Sequence, residues 1–224
     1  MLYIVAGPIG NLKDITLRAL EILKEVDLIA CEDTRKTGKL LSHYNIGTSM
    51  ESYNDFNKDR KLPKLLGLLT SGRKVALFSD AGTPTISDPG YKLVQAAYKA
   101  GVAVSPIPGP SAAIAALSAS GQPTDKFIFV GFLPKQSGKR TKLLNALKDC
   151  QLPSSAIIYE SPYRLVRLLG ELEKVFGKEA EISVCGELTK LYEKVTKGTI
   201  KTVLGEFEKK SKVKGEFTIV LNLR

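Results

Sequence analysis

The chain has 224 residues, of which 43% are hydrophobic and 25% charged, and it carries 33 Lys and Arg against 23 Asp and Glu. A chain of this length and composition is expected to form one large domain or two small ones with a real core rather than a disordered chain. No apolar run reaches the ~18 residues of a membrane span. Three separated cysteines and one histidine give neither a disulfide framework nor a zinc site. We therefore expect a cytoplasmic, metal-free protein whose net charge of +10 favours anionic partners.

Throughout the chain, short apolar runs alternate with helix-period segments, as in an α/β protein whose helices cover a largely parallel sheet. Strands are predicted at Leu2–Ala6, Asp27–Cys31, Lys74–Ser79 and Val102–Pro106. Helices are predicted from a cap at Asp14 or Thr16 to Val26, and over Arg35–Tyr44, Lys58–Leu69, Pro89–Ala100 and Pro110–Ser120.

A turn or linker at Gly121-Gln-Pro-Thr separates the first half of the chain from the second. Strands are then predicted at Phe127–Phe132, Ala156–Glu160, Glu181–Glu187 and Phe217–Leu223, with helices over Lys139–Lys148 and Pro162–Phe176. The sequence therefore predicts two α/β domains, residues 1–121 and 122–224. The second is the more basic, because residues 125–224 hold 19 basic and 12 acidic side chains.

Four loops rich in Gly, Pro and small polar residues follow predicted strands, at the edge where open α/β sheets bind ligands. Glycine lets a ligand approach the backbone, and proline fixes the shape of a loop before binding. The loops are Gly7–Leu12, Cys31–Arg35, Ser79–Pro84 and Pro106–Ala112. Their shared position predicts one ligand cleft.

Other ligand and catalytic classes lack their signatures. Gly7-x-x-Gly10 has neither the spacing nor the third glycine of a dinucleotide fingerprint, and Gly67–Lys74 precedes a strand where a phosphate loop follows one. No G-x-S-x-G nucleophile elbow occurs, and His43 is the single histidine. A catalytic triad is therefore disfavoured.

Seven motifs, in order, carry a resemblance to a known family. They are Leu2–Leu12, Glu32–Arg35, Ser79–Pro84 with Ile86–Gly90, Pro106–Ala112, Gly131–Pro134, Tyr159–Pro162 and Glu187–Lys190. These segments resemble the ribosomal RNA small subunit methyltransferase I family. That family belongs to the tetrapyrrole-methylase-like, class III S-adenosylmethionine-dependent methyltransferases.

The resemblance implies two α/β domains with S-adenosylmethionine in a cleft between them, and a homodimer. It also implies methyl transfer to the 2′-hydroxyl of a cytidine in the decoding region of small-subunit (16S) ribosomal RNA, either free or in an assembled small ribosomal subunit. By the same resemblance, the cofactor contacts are assigned to Pro8, Gly10, Asp80, Gly82, Thr83, Ser111, Ala112, Tyr159 and Glu187.

The acceptor hydroxyl is a weak nucleophile, so a side chain that takes or orients its proton is expected nearby. Glu160, Glu187 and Lys190 are the candidates, because each lies in a family motif at a predicted strand end. The alternative is that Glu187 and Lys190 form a structural ion pair and that Glu160 supports a loop.

Basic side chains near the expected cleft are candidates for RNA phosphate contacts. They are Arg35, Lys135, Lys139, Arg140 and Lys142. A solvated helix face is the alternative for the last four, and the lysines at 209–214 are interpreted as a solvated turn. Because aromatic residues make up only 7% of the chain, we expect phosphate contacts to dominate over base stacking.

Two positions depart from the family pattern. Gly7 stands where the family usually has threonine, and Gly186 where it commonly has arginine. Two other functions stay open at this point. One is a tetrapyrrole (precorrin or uroporphyrinogen) methyltransferase of the same fold, whose carboxylate-rich substrates also suit a basic protein. The other is a non-enzymatic ribosomal RNA-binding protein.

Overall fold

The computed structural model describes residues 1–224 and divides them into two compact units, Met1–Ser111 (unit 1) and Ala112–Arg224 (unit 2). The helix predicted just before residue 121 belongs to unit 2, because its Ala116 and Leu117 are buried against Val220 of the second sheet. The division therefore comes before this helix, whereas the sequence predicts the boundary after it.

Unit 1 contains a five-stranded parallel sheet in the order β3-β2-β4-β1-β5. Its strands are β1 Leu2–Val5, β2 Leu28–Cys31, β3 Met50–Ser52, β4 Val75–Phe78 and β5 Val104–Ile107. Its helices are α1 Leu17–Glu25, α2 Thr34–His43, α3 Lys58–Thr70 and α4 Tyr91–Lys99, with a single 3₁₀ turn at Leu12–Asp14. The four predicted strands and four of the five predicted helices are confirmed here, and β3 is additional.

Helices cover both faces of this sheet. Leu23 of α1 and Leu40 of α2 pack on one face, and Leu65 of α3 and Leu93 of α4 pack on the other. The chain leaves β1 towards β2 but leaves the adjacent β4 in the opposite direction, towards β5. The carboxyl ends of β1 and β4 therefore form the topological switch point at which open α/β sheets bind ligands.

Unit 2 contains a mixed sheet in the order β6-β7-β10-β8-β9, in which only β6 and β7 are parallel. Its strands are β6 Phe127–Phe132, β7 Ser155–Glu160, β8 Glu181–Gly186, β9 Lys194–Thr199 and β10 Phe217–Asn222. Its helices are α5 Ala112–Ser120, α6 Ser137–Lys148, α7 Leu165–Phe176 and α8 Ile200–Glu208. The expectation of a largely parallel sheet holds for unit 1 and is wrong for unit 2.

The second core lies on one face of this mixed sheet. Leu144 of α6, Leu168 of α7 and Val203 of α8 are buried there together, while α5 covers the other face. No helix in the chain is both long and apolar enough to cross a membrane.

Candidate functional site

The loops that follow β1 and β4 are joined through their backbones. The Gly7 N–H donates to the Gly82 carbonyl at 2.9 Å, and the Gly82 N–H donates back to the Gly7 carbonyl at 3.2 Å. A Cβ on Gly7 would lie 2.7 Å from the Phe78 ring, and Gly82 has φ of 74°, a conformation that disfavours side chains. The switch point is therefore lined by main chain rather than by side chains, with buried Pro8 next to it.

The loop after β5 meets the same two loops. The Thr83 hydroxyl donates to the Pro110 carbonyl at 3.4 Å. A Cβ on Gly109 would lie 3.0 Å from the Cβ of Ala6, so these backbones approach closely. Ser111, half-buried, ends this loop. The loops after β1, β4 and β5 thus converge, as expected from their shared position after parallel strands.

Asp80 brings the fourth loop to this edge. Its Oδ1 accepts a hydrogen bond from the Asp33 N–H at 3.1 Å, and its Oδ2 pairs with Lys36 Nζ at 2.7 Å. These bonds hold the start of α2 against the loop after β4. The Asp80 carboxylate therefore has a structural task within unit 1, although the Lys36 side chain is two-thirds exposed and free to exchange partners.

Two further carboxyl groups at this edge, those of Asp88 and Glu32, are partly buried. Burial raises the pKa of Asp88 to about 6, against a hydrogen bond with Ser79, and the charges of Glu32 and Asp80 add to the rise. Burial also raises the pKa of Glu32, and the charge of Asp80 adds to it. The carboxyl edge of unit 1 is therefore acidic around the backbones of Gly7 and Gly82, which favours a cationic or hydroxyl-bearing ligand.

A polar cluster, Glu187, Lys190 and Glu216, follows the end of β8 in unit 2. Glu187 Oε1 accepts from Lys190 Nζ at 3.0 Å and from the Glu216 N–H at 2.9 Å, and Lys190 Nζ pairs with Glu216 Oε2 at 2.7 Å. Glu187 has φ of 52°, a strained value for a non-glycine residue. Gly215 leaves the space, since a Cβ there would lie 2.6 Å from Glu187 Cγ.

The ionisation states in this polar cluster follow from its hydrogen bonds. Burial raises the pKa of Glu187, but the bonds from Lys190 and the Glu216 N–H outweigh it and leave the pKa below its usual value. Burial lowers the pKa of Lys190, but Glu216 and Glu187 outweigh it and leave the pKa raised. At neutral pH Lys190 is a cation with no acceptor capacity, whereas Glu187 is a carboxylate that can accept a proton.

Glu160 is enclosed. Its side chain is 1% exposed, and its Oε1 accepts from the Ser161 N–H and from Arg164 Nε, both at 2.7 Å. Arg164 also donates to the Leu133 carbonyl at 3.4 Å. These contacts favour the alternative in which Glu160 supports a loop.

Tyr159 and Gly186 occupy aromatic surroundings in the same sheet. The Tyr159 ring packs edge-on against Phe129 and Phe132, with centroids 5.0 and 5.6 Å apart. A Cβ on Gly186 would lie 2.8 Å from the Phe217 ring. The expected arginine position is therefore closed by an aromatic side chain.

Of the expected RNA-contacting residues, Arg140 is buried. Its guanidinium forms an ion pair with Glu171 and donates to the Pro134 and Lys135 carbonyls, each at 2.9 Å. Since these bonds engage the guanidinium inside the unit, the expectation that Arg140 contacts RNA is corrected to a role in holding the loop before α6. The remaining four expected side chains are exposed, namely Arg35, which pairs with Asp33, and Lys135, Lys139 and Lys142.

Some residues in these clusters escaped the sequence analysis. Asp88 lies inside the quoted motif Ile86–Gly90, which is the signal that marks it. Glu216 follows a lysine-rich turn with no motif, and only the pairing of β8 with β10 brings it to Glu187.

The fold matches a described family. The model for tetrapyrrole (corrin/porphyrin) methylases matches residues 1–204. Among solved structures, uroporphyrin-III C-methyltransferase from Thermus thermophilus superposes with a TM-score of 0.69 at 19% identity, over 99% of this chain and 94% of that one. The same enzyme complexed with S-adenyl homocysteine gives 0.68 at 17% identity, over 99% and 96%. The class is therefore the tetrapyrrole methylases, which confirms the expected fold.

Relatives of higher identity carry one name, ribosomal RNA small subunit methyltransferase I. The protein from Halalkalibacterium halodurans is 47% identical over 98% of this chain and 75% of its own length. Those from Synechocystis sp. and Thermotoga maritima are 48% and 44% identical over 99% of this chain, and over 78% and 97% of their own lengths. The chain belongs to the ribosomal RNA small subunit methyltransferase I family, as the motifs indicated.

Proposed function

We propose that this protein transfers a methyl group from S-adenosylmethionine to small-subunit ribosomal RNA. The observation that supports this most directly is its 44–48% identity to three ribosomal RNA small subunit methyltransferases I over 98–99% of the chain. The proposed acceptor is the 2′-hydroxyl of a cytidine in the decoding region, in free RNA or an assembled small subunit. We further propose a cytoplasmic homodimer, on the resemblance alone.

The carboxyl edge of unit 1 fits S-adenosylmethionine, which supplies a methyl group activated on a sulfonium. Gly7 has no room for a Cβ beside the Phe78 ring, and the φ of 74° at Gly82 disfavours a side chain there, so a ligand can approach the backbone closely. Carboxyl groups at this edge suit the cationic ammonium and sulfonium and the ribose hydroxyls. The proposed contacts here are Pro8, Gly10, Asp80, Gly82, Thr83 and Ser111. On the family resemblance alone, Ala112, Tyr159 and Glu187 are proposed as further cofactor contacts.

Displacement at a sulfonium disperses charge, so alignment and exclusion of water are the main tasks of the protein. The four loops of unit 1 serve alignment, because the bonds of Gly7 to Gly82, Thr83 to Pro110 and Asp80 to Asp33 fix them before binding. The cost of ordering these loops is thus met in folding rather than in binding.

We assign the proton of the acceptor hydroxyl to Glu187. Its carboxylate is 24% exposed on the side chain, is ionised at neutral pH because its pKa lies below the usual value, and is oriented by Lys190 and the Glu216 N–H. Lys190 then acts as a positioning residue and Glu160 as loop support. Arg35, Lys135, Lys139 and Lys142 are the proposed phosphate contacts.

One assay tests the proposal. Methyl-labelled S-adenosylmethionine is incubated with the protein and with small subunits, or naked ribosomal RNA, from cells that lack the activity. The labelled nucleoside is then identified by mass spectrometry. The expected product is 2′-O-methylcytidine, and a base-methylated nucleoside would contradict the proposed acceptor. In a parallel reaction with uroporphyrinogen as the acceptor, methylation of uroporphyrinogen and not of RNA would favour the tetrapyrrole alternative. RNA binding without any calorimetric signal for S-adenosylmethionine would favour a non-enzymatic binding protein.

A further inference from the structure

Two exposed aromatic side chains, Phe56 and Tyr91, and the exposed Ile86 follow strands of unit 1 at its carboxyl edge. We call these three residues the aromatic platform. Phe56, in the loop between β3 and α3, is fully exposed, Tyr91, the first residue of α4, is 67% exposed, and Ile86, in the loop before α4, is 49% exposed. None of the roles proposed above uses them. Exposed apolar groups that cluster on a surface mark an interaction site more often than isolated ones do.

The two rings flank one contact between helices. Lys92 Nζ of α4 pairs with Asp59 Oδ1 of α3 at 2.6 Å, so the starts of the two helices are adjacent. Tyr91 precedes Lys92, and Phe56 lies three residues before Asp59 in the loop that enters α3. The platform is therefore one surface built from two loops and two helix starts.

The Phe56 ring is held out by a hydrogen-bonded turn. Asn54 Oδ1 accepts from the Phe56 N–H at 3.2 Å, and Asn54 Nδ2 donates to the Glu32 carbonyl at 3.3 Å, which ties this turn to the loop after β2. Asn57 Oδ1 accepts from the Asn54 N–H at 2.9 Å, and Asn57 Nδ2 donates to the Ser52 carbonyl at 3.2 Å. A ring presented to solvent by a fixed backbone loses little freedom on binding.

The second ring is fixed as well. The Tyr91 hydroxyl accepts from Gln95 Nε2 at 3.3 Å, one turn further along α4. Its orientation is thereby set by its own helix.

Three basic and two acidic side chains lie near the two rings in the sequence. Lys58 and Lys92 carry single ion pairs, to Asp55 and Asp59, and Arg60 is exposed. Rings interleaved with cations fit single-stranded RNA, whose bases stack on aromatic faces while its phosphates pair with lysine and arginine. A protein partner fits less well, because the centres of protein interfaces are depleted of lysine and aspartate.

We propose that Phe56 and Tyr91 stack on unpaired bases of the RNA substrate, with Lys58, Arg60 and Lys92 on the adjoining phosphates. This inference rests on the proposed function, since it assumes an RNA substrate. It assigns to unit 1 a substrate-binding role in addition to the binding of the cofactor, and it gives the RNA base contacts that the low aromatic content argued against.

The test is steady-state methyl transfer to naked small-subunit ribosomal RNA and to small subunits, at saturating S-adenosylmethionine. Phe56→Ala and Tyr91→Ala are each expected to raise KM for RNA by about 5- to 150-fold, the loss of one stacked base, with kcat and cofactor affinity kept. Phe56→Trp restores a stacking face and should keep KM near the wild-type value. Tyr98→Ala is the matched control, because Tyr98 is 65% exposed at the other end of α4.

Where only assembled subunits are methylated, fluorescence anisotropy with a labelled unstructured RNA oligonucleotide supplies the naked-RNA comparison. An unchanged KM and RNA affinity in both alanine variants overturns the inference. So does a defect confined to assembled subunits, which identifies a ribosomal protein as the partner, or a changed sedimentation coefficient, which identifies a second copy of the chain. If the wild-type protein methylates no RNA, the proposed function is wrong. If the wild-type protein is active and both alanine variants are unaffected, only the inference about the aromatic platform is wrong.

Discussion

The carboxyl edge of unit 1 and the polar cluster of unit 2 are built in different ways. In unit 1 the main chains of Gly7 and Gly82 bond directly and leave no space for a Cβ on Gly7. In unit 2 the charged side chains of Glu187, Lys190 and Glu216 hold one another. The contact between the Gly7 and Gly82 backbones depends on shape and not on ionisation, whereas a cluster of charges depends on ionisation. In the proposed mechanism, alignment and proton handling are therefore supported by separate parts of the chain.

The largest effect is expected from Glu187→Gln. Loss of the proton acceptor should lower kcat at least about 100-fold at pH 7.5, measured by labelled methyl transfer. Glu216→Gln is the control, because it weakens the hold on Lys190 but keeps the backbone N–H that bonds Glu187. Since the pKa of Glu187 lies below its usual value, the wild-type rate should stay level from pH 8 down to about 6. An equal loss of kcat in Glu187→Gln and Glu216→Gln would show that the polar cluster has a purely structural role.

The next largest effect concerns the ion pair of Arg140 with Glu171. Arg140→Met leaves a mostly buried carboxylate without its main partner and should lower the free energy of unfolding by about 3 kcal/mol in urea titrations. Arg167→Ala removes a 65% exposed partner of the same carboxylate and should cost under about 1 kcal/mol.

The pair also predicts a pH dependence. Arg140 holds the pKa of Glu171 in the folded protein below its usual value of 4.5. The stabilisation is therefore complete above about pH 5, and it is lost as the pH falls through the pKa of Glu171 in the folded protein. Arg140→Met should flatten this acid limb. Similar losses for the two arginine variants would contradict the buried role of Arg140.

A smaller effect is expected at the backbone-built edge. Gly7→Ala places a methyl group against the Phe78 ring and should cost about 2 kcal/mol of unfolding free energy and weaken S-adenosylmethionine binding in calorimetry. The double variant with Phe78→Leu makes room for the methyl group and should recover part of the unfolding free energy and part of the cofactor affinity. Gly67→Ala, inside α3 with open space around it, should stabilise by up to about 1 kcal/mol. A neutral Gly7→Ala would show that the edge tolerates side chains.

The smallest effect is expected from Asp88→Asn. The pKa of Asp88 is raised to about 6, so the folded state is penalised as pH rises from about 4 to 6 and the penalty is constant above. The variant should therefore gain about 1 kcal/mol at pH 7.5, allowing for partial solvent screening, and nothing at pH 4. Thermal unfolding at the two pH values measures this, and an equal gain at both would contradict the assignment.

The sequence predicted most elements because their strands are apolar runs, but it missed the strands β3 and β9 and the helix α8. Met50-Glu51-Ser52 of β3 is too short and polar to stand out, and β9 carries lysines because only β8 pairs with it. The four loops could be predicted, since their glycines and prolines are local signals. The burial of Arg140 could not, because within a lysine-rich helix only the packing of α7 supplies Glu171.

Both departures from the family pattern share one arrangement, a glycine beneath a phenylalanine ring. Gly7 lies under Phe78 and Gly186 under Phe217, at 2.7 and 2.8 Å from the position of a Cβ. A threonine or arginine transplanted from a relative would collide with the ring, so each exchange needs its phenylalanine replaced at the same time. Chimeras that swap a single motif between relatives are thus expected to fail at these two positions, and those that swap glycine and ring as a pair are expected to fold.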